Sequence, residues 1–170
     1  MFQEFSDVFS WQYSDLKGFD PKLAQHTIEL EPTAKPVHQK KRLINPKLEP
    51  LMQKEVFRLI ESKIIFPIKH TSWVANLVLV RKKNGELHLC IDFRDLNRVS
   101  LKDRHLLLSM EQILQYVSRA ERFSLLDGYS GYNQILVKEE DQFKTAFTTK
   151  WGTMAYKRMP FRLSNTGATF

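Results

Sequence analysis

Two β-prone apolar runs, Trp73 to Val80 and Glu86 to Phe93, flank the segment Arg81-Lys82-Lys83-Asn84-Gly85. Asn-Gly between two such runs is the strongest short-range signal for a β-hairpin, because its residues accept the positive φ angles of a tight turn. The chain must therefore fold back on itself here, with three adjacent cations at the tip. A second pair of β-prone segments, Phe143 to Thr149 and Thr153 to Met159, surrounds Lys150-Trp151-Gly152 and predicts another hairpin. Helices are predicted between and before them. Asn45-Pro46 combines an N-cap side chain with proline at the first helical position. Leu48, Leu51, Met52, Val56, Leu59, Ile60 and Ile64 then recur at helical spacing, opposite Lys47, Lys54, Arg58, Glu61 and Lys63, with Pro67 as the expected stop. Ser109 opens a second helix, with Gln112 completing a capping box and Met110, Ile113, Leu114 and Val117 as its expected buried stripe.

The remaining segments are less patterned. Residues 1 to 20 mix aromatics with acids and read as a short helix and a loop. His26 to Leu30 alternates like a brief strand. Residues 31 to 42, with Pro32 and Pro36 followed by Lys40, Lys41 and Arg42, form an extended basic connector. Arg94 to Arg98 reads as a polar turn, in which Asp92 and Asp95 pair with Arg94 and Arg98. Glu139, Glu140 and Asp141 read as a solvated turn, and Gly167 to Phe170 as the start of a helix.

The 170 residues suffice for one folded domain, and 26 Lys and Arg against 19 Asp and Glu favour a polyanionic partner, nucleic acid first. One cysteine, Cys90, excludes an internal disulfide and a cysteine-based zinc site, and suits a reducing compartment. The five histidines (His26, His38, His70, His88, His105) show no zinc spacing. No run approaches the roughly 18 apolar residues of a membrane span, and the acidic N-terminus is unlike a secretory signal. An intracellular chain, cytoplasmic or nuclear, without a membrane partner is expected.

Residues 123 to 137, Phe-Ser-Leu-Leu-Asp-Gly-Tyr-Ser-Gly-Tyr-Asn-Gln-Ile-Leu-Val, carry the chemistry. An apolar run delivers Asp127 to a glycine-rich turn that bears Tyr129 and Tyr132. Such a strand end can present a carboxylate to a metal ion, although a lone Asp-Gly more often caps its own backbone. Three collinear blocks decide between these readings: residues 79 to 97, 123 to 135 and 144 to 161 resemble the reverse transcriptase of gypsy-class, plant-type, long-terminal-repeat retrotransposons, and residues 28 to 37 resemble its lead-in.

The resemblance implies an α+β fold, the fingers and first part of the palm of a right-hand polymerase, with antiparallel sheets and packed helices. Residues 1–42 would be a lead-in and connector, and residues 43–170 the incomplete reverse transcriptase domain. It implies RNA-directed DNA polymerisation by two Mg²⁺ ions that hold attacking and leaving oxygens in line. By position, Asp127 is the first metal-binding aspartate and Gly128 offers its carbonyl to the same ion. Lys82 or Lys83 would touch the triphosphate, Tyr132 would support the incoming sugar, and the segment Pro160 to Asn165, with Phe161 and Arg162, would line the nucleotide and template pocket. Implied partners are an RNA or DNA template-primer, a deoxynucleoside triphosphate, and downstream palm, thumb and ribonuclease H parts of a polyprotein.

The chain departs from that family at three places. His88 stands where a nucleotide-binding arginine is usual and cannot replace its planar fork. Arg162 replaces the glycine of the usual Pro-Phe-Gly-Leu, and Leu106 to Leu108 replace Pro-Leu-Pro. The family's paired-aspartate hairpin follows beyond Phe170, so these residues alone are expected to hold half a metal site and to lack polymerase activity. An unpaired sheet edge and an exposed apolar face should make the isolated protein aggregation-prone or partly molten. The alternative is a domesticated or decaying remnant that acts only as a basic nucleic-acid-binding module.

Overall fold

The computed structural model describes residues 10–11, 15–16, 18–81, 87–105, 109–122 and 130–170. Its elements, in order, are β1 (Gln25–His26), α1 (Glu49–Glu61), β2 (Ile65–Ile68), β3 (Ala75–Arg81), β4 (Leu87–Ile91), α2 (Arg94–Val99), α3 (Met110–Val117), β5 (Leu136–Val137), α4 (Glu139–Gln142), β6 (Phe147–Thr149), β7 (Gly152–Tyr156) and α5 (Thr166–Thr169). Five strands form one sheet in the order β2-β7-β6-β3-β4, antiparallel except where β3 runs parallel to β6. A second, two-stranded sheet pairs β1 with β5 in parallel. Both expected hairpins form. β3 and β4 pair from Leu77↔Ile91 to Arg81↔Leu87, and the tip itself, residues 82 to 86, lies outside the described residues. In the second hairpin Thr149 faces Gly152, and the strand begins at Phe147 rather than Phe143, because Phe143–Thr145 forms a 3₁₀ turn.

Asn45 caps the first helix as expected, its side chain accepting from the backbone N–H of Lys47, with Pro46 opening a 3₁₀ turn that runs into α1. Met52, Val56 and Leu59 are the buried side of α1, which packs against β2 and β4. Pro67 does not end this helix. The end is at Lys63, whose φ of 55° places it in the left-handed region. There the Lys63 N–H donates to Ile60 O (2.9 Å) and the Ile64 N–H to Leu59 O (3.0 Å), so two helix-end carbonyls are satisfied. Leu59 and Ile64, the residues this turn brings together, are both buried. Pro67 lies within β2 opposite Met154. A proline is tolerated there because β2 is an edge strand and its missing N–H costs no sheet bond.

The core gathers Met52, Val56, Ile64, Ile65, Phe147, Ile135, Val137 and Met159, each 2% exposed or less. Ile28 from the lead-in joins it, so the segment before the connector is packed rather than loose. The strand expected over His26 to Leu30 is shorter: β1 covers two residues, and Leu30 bridges to Ser100. The basic connector is extended, and His38 bridges Val74 beside β3.

Three further expectations are corrected. Arg94 to Arg98 is helical, as α2, and not a turn. Asp141 is not solvated: it is 4% exposed, accepts from the Ile28 N–H at 2.8 Å, and pairs with Lys144 at 2.5 Å. The acidic run had hidden a buried carboxylate whose cost of desolvation is offset by that N–H and that ammonium. Finally, α3 has its full capping box but no fully buried residue, Val117 alone of its expected stripe being half-buried. Met110 is 68%, Ile113 40% and Leu114 59% exposed. No helix among the described residues is long and apolar enough to cross a membrane.

Candidate nucleic-acid interface

The site is built around the turn that leaves β7. Met159 is fully buried and donates its N–H to Ile135 O, tying the turn to the segment that carries Tyr132. Pro160 is buried, whereas Phe161 is 52% exposed and Arg162 is also exposed. Two asparagine amides then grip the backbone. Asn97 of α2 donates from Nδ2 to Arg162 O at 2.8 Å and accepts the Ser164 N–H on Oδ1 at 2.9 Å. Asn165 does the reverse, donating to Leu101 O at 2.8 Å and accepting the Asp103 N–H at 2.9 Å. Each amide replaces two backbone partners, so the turn is fixed without a sheet. Arg162 and Asn165 sit at φ values of 73° and 65°. Asparagine tolerates that left-handed geometry, but arginine is strained in it.

On one side of this turn stands an aromatic cluster. The Tyr132 ring lies 4.9 Å from Phe161 and 5.3 Å from Phe170, the latter edge-on. Tyr132 rides on a 3₁₀ turn, Gly131–Gln134. A Cβ at Gly131 would stand 2.8 Å from the Phe170 ring, so a side chain here would have to push that exposed ring aside.

On the other side is a cleft of about 380 Å³ lined by Arg42, Asp92, Arg94, Asn97 and Arg162 over Val78. The Asp92 side chain is only 7% exposed and receives two bonds from Arg94, Nε at 2.7 Å and Nη2 at 2.7 Å, and one from Arg42 at 3.2 Å. The Arg94 hydrogen bonds chiefly hold the Asp92 carboxyl below its ordinary range, and the same bonds raise the Arg94 guanidinium. Arg42 and Arg94 thus share one carboxylate, and Arg162 adds a third guanidinium to the lining, leaving the cleft net positive. The expected Asp95–Arg98 pair also forms, at 3.4 Å.

Arg42 reaches the cleft because the connector is sewn onto β3. Asn76, 6% exposed, donates Nδ2 to Lys40 O and accepts the Arg42 N–H, while Gln39 bonds Asn76 N and Asp95 Oδ2. The sequence reading passed over Asn76, Asn97, Arg42 and Gln39 as site-builders. The available signal was Asn76 itself, a lone amide inside an apolar strand, which burial obliges to find partners.

Of the residues singled out from sequence, the structure brings together Tyr132, Pro160, Phe161 and Arg162. Asp127, Gly128, Lys82 and Lys83 lie outside the described residues, as does the side chain of His88, whose backbone pairs with Val80 in β4. Among the described residues no three His, Cys, Asp or Glu side chains converge as a metal site. The described residues by themselves therefore do not fit a Mg²⁺ centre.

No family model matches the chain. It is 36% identical over 104 residues to the Pol polyprotein of transposon 297 and 35% identical over 121 residues to that of transposon gypsy, both from Drosophila melanogaster. These alignments cover 61% and 68% of the chain but 10% and 12% of the relatives, so the chain spans about a tenth of those polyproteins. An RNA-directed DNA polymerase homolog of Oenothera berteroana is 34% identical over 84 residues, 49% of the chain and 59% of the relative. In structure, 99% of the chain matches 22% of a prototype foamy virus protease-reverse transcriptase, with a TM-score of 0.84 at 22% identity. A foamy viral protease-reverse transcriptase in complex with an RNA/DNA hybrid matches 91% of the chain and 21% of its own length, with a TM-score of 0.67 at 18% identity. None of these is a stand-alone nucleic-acid-binding module. The chain belongs with the Pol polyproteins of gypsy-class retrotransposons and has the α+β fold of the corresponding part of a reverse transcriptase.

Proposed function

We propose that this chain is the fingers and first palm portion of an RNA-directed DNA polymerase and that its described surface receives a template-primer. The observation that supports this most is the shared turn 160–165, which joins the net-positive arginine cleft to the Tyr132–Phe161 aromatic pair. Guanidiniums grip phosphates, and an aromatic face beside them receives a base or sugar, the two elements of strand binding. The relatives and the foamy viral complexes point the same way.

The residues outside the described set complete the reading. Lys82 and Lys83 would neutralise the triphosphate of an incoming nucleotide. Asp127 and the Gly128 carbonyl would give oxygen ligands to one Mg²⁺. That ion takes about six oxygens from carboxylates, waters and substrate phosphates, so one carboxylate needs further partners before it acts. When bound, the metal would supply electrostatic stabilisation of the phosphoryl transfer. The chain's own part is to position the strand and the sugar. Downstream palm, thumb and ribonuclease H parts would be its partners within an intracellular polyprotein.

The test is fluorescence anisotropy of a labelled RNA/DNA template-primer against the 170-residue chain across a salt series. Binding that weakens steeply with salt is expected, and Asp127→Asn should bind as well as the wild type, because Asp127 serves the metal. Absence of binding at low salt would overturn the proposal.

A further inference from the structure

We infer that Arg162 is a phosphate-gripping residue, carried on a turn whose backbone geometry suits glycine. This rests on the strand-binding reading above. Four observations converge. Its φ of 73° is strained for any residue with a Cβ, so an arginine here has no conformational reason to be present. Its carbonyl and the Ser164 N–H that follows it are both held by Asn97, which fixes the turn from which the side chain starts. The side chain is exposed, and among the described residues no ion pair involves it. It lines both the arginine cleft and the adjoining small cavity beside Phe161, so it stands between the charged and the aromatic halves of the site.

The chemistry follows from the charges. Asp92 already occupies Arg94 with two bonds and Arg42 with one. Arg162 is therefore the cleft cation whose donors are least committed. A planar guanidinium with open donors matches the oxygens of a phosphodiester. The ligand class is the phosphate backbone of a single nucleic-acid strand passing from the cleft toward Tyr132.

The experiment measures binding of a fluorescein-labelled 20-nucleotide single strand to the 170-residue chain over a salt series, with thermal melts of each variant. Arg162→Gly should lower the slope of log K against log salt by about 0.7, the value for one phosphate contact to a single strand. It should also raise the melting temperature by about 2–4 °C, because the left-handed strain is removed. Stability rising while binding falls cannot come from a damaged fold. Arg162→Gln should lose the same slope with no gain in melting temperature. A wild type that binds while both variants keep its slope would overturn this inference and leave the proposed function standing. An equal loss in Lys22→Gln, a surface cation that does not line the cleft, would show bulk charge only and would likewise overturn it. Displacement of the strand by inorganic tripolyphosphate at equal phosphate concentration would assign the site to a free polyphosphate instead. No wild-type binding to the single strand would overturn this inference, while the template-primer assay alone decides the proposed function.

Discussion

Helices α1 and α3 carry the same kinds of sequence signal and end in opposite situations. Both have a capped N-terminus and apolar residues at helical spacing. The cap of α3 is the better one, a full reciprocal box between Ser109 and Gln112. Yet α1 buries Met52, Val56 and Leu59 against the sheet, while α3 has no fully buried residue. Caps and periodicity are local properties that decide whether a helix forms. What a helix packs against depends on the rest of the protein, and helical stability in folded proteins comes mostly from that packing.

The largest expected effect falls on the buried side of this comparison. Met52→Ala removes a 1% exposed side chain and should cost about 2–5 kcal/mol, read by urea denaturation. A cost under about 1 kcal/mol would mean that α1 is no better anchored than α3.

A second test uses pH and the link between the lead-in and the last helix. His26 is 1% exposed, its Nδ1 bonds Thr169 Oγ1 at 2.9 Å, and its Nε2 has no partner among the described residues. Burial lowers its pKa from 6.5 to about 4, against an opposing pull from Asp141, which itself pairs with Lys144. The folded state therefore resists the proton that the unfolded state accepts. Stability is fully present above about pH 6.5, and falls as pH drops toward 4. At pH 5 the loss should be about 2 kcal/mol, from 1.36 kcal/mol per unit. His26→Leu should flatten that part of the profile in denaturation at several pH values, and an unchanged slope would contradict the account.

Much of this fold was legible because its signals are local. The Asn84-Gly85 hairpin, the Asn45-Pro46 start and the Ser109 box each need only neighbouring residues to specify them. The helix end was misread because Lys63 occupies a left-handed position that glycine usually marks, so Pro67 looked like the first stop. Arg94 to Arg98 looked like a turn because the short helix found there, Arg94–Val99, has a single buried residue, Leu96, and shows little periodicity. In the site, Tyr132 and the segment 160–165 were found from the resemblance. The cleft that they share was not, because Arg42, Arg94 and Arg162 are far apart in sequence and meet only through the amides of Asn76 and Asn97.

Two smaller effects sharpen the contrast between local signals and packing. Ser109→Ala should cost about 1 kcal/mol of α3 stability, seen as faster amide exchange confined to residues 110–117. Exchange that quickened across the five-stranded sheet as well would show α3 coupled to the core. Lys63→Gly should stabilise the protein by about 0.5–1 kcal/mol in the same denaturation assay, since glycine meets the φ of 55° without a Cβ.

The smallest expected change is the most informative about α3. Leu114 is 59% exposed, so Leu114→Lys exchanges apolar surface for charge and leaves no cavity. It should change the unfolding free energy by no more than about 0.5 kcal/mol, within the range for surface substitutions. Sedimentation should show less self-association in the variant, because an exposed apolar stripe is the surface on which copies adhere. A large loss of stability would mean that the α3 face is covered in the isolated protein, and that α1 and α3 differ less than their burial indicates.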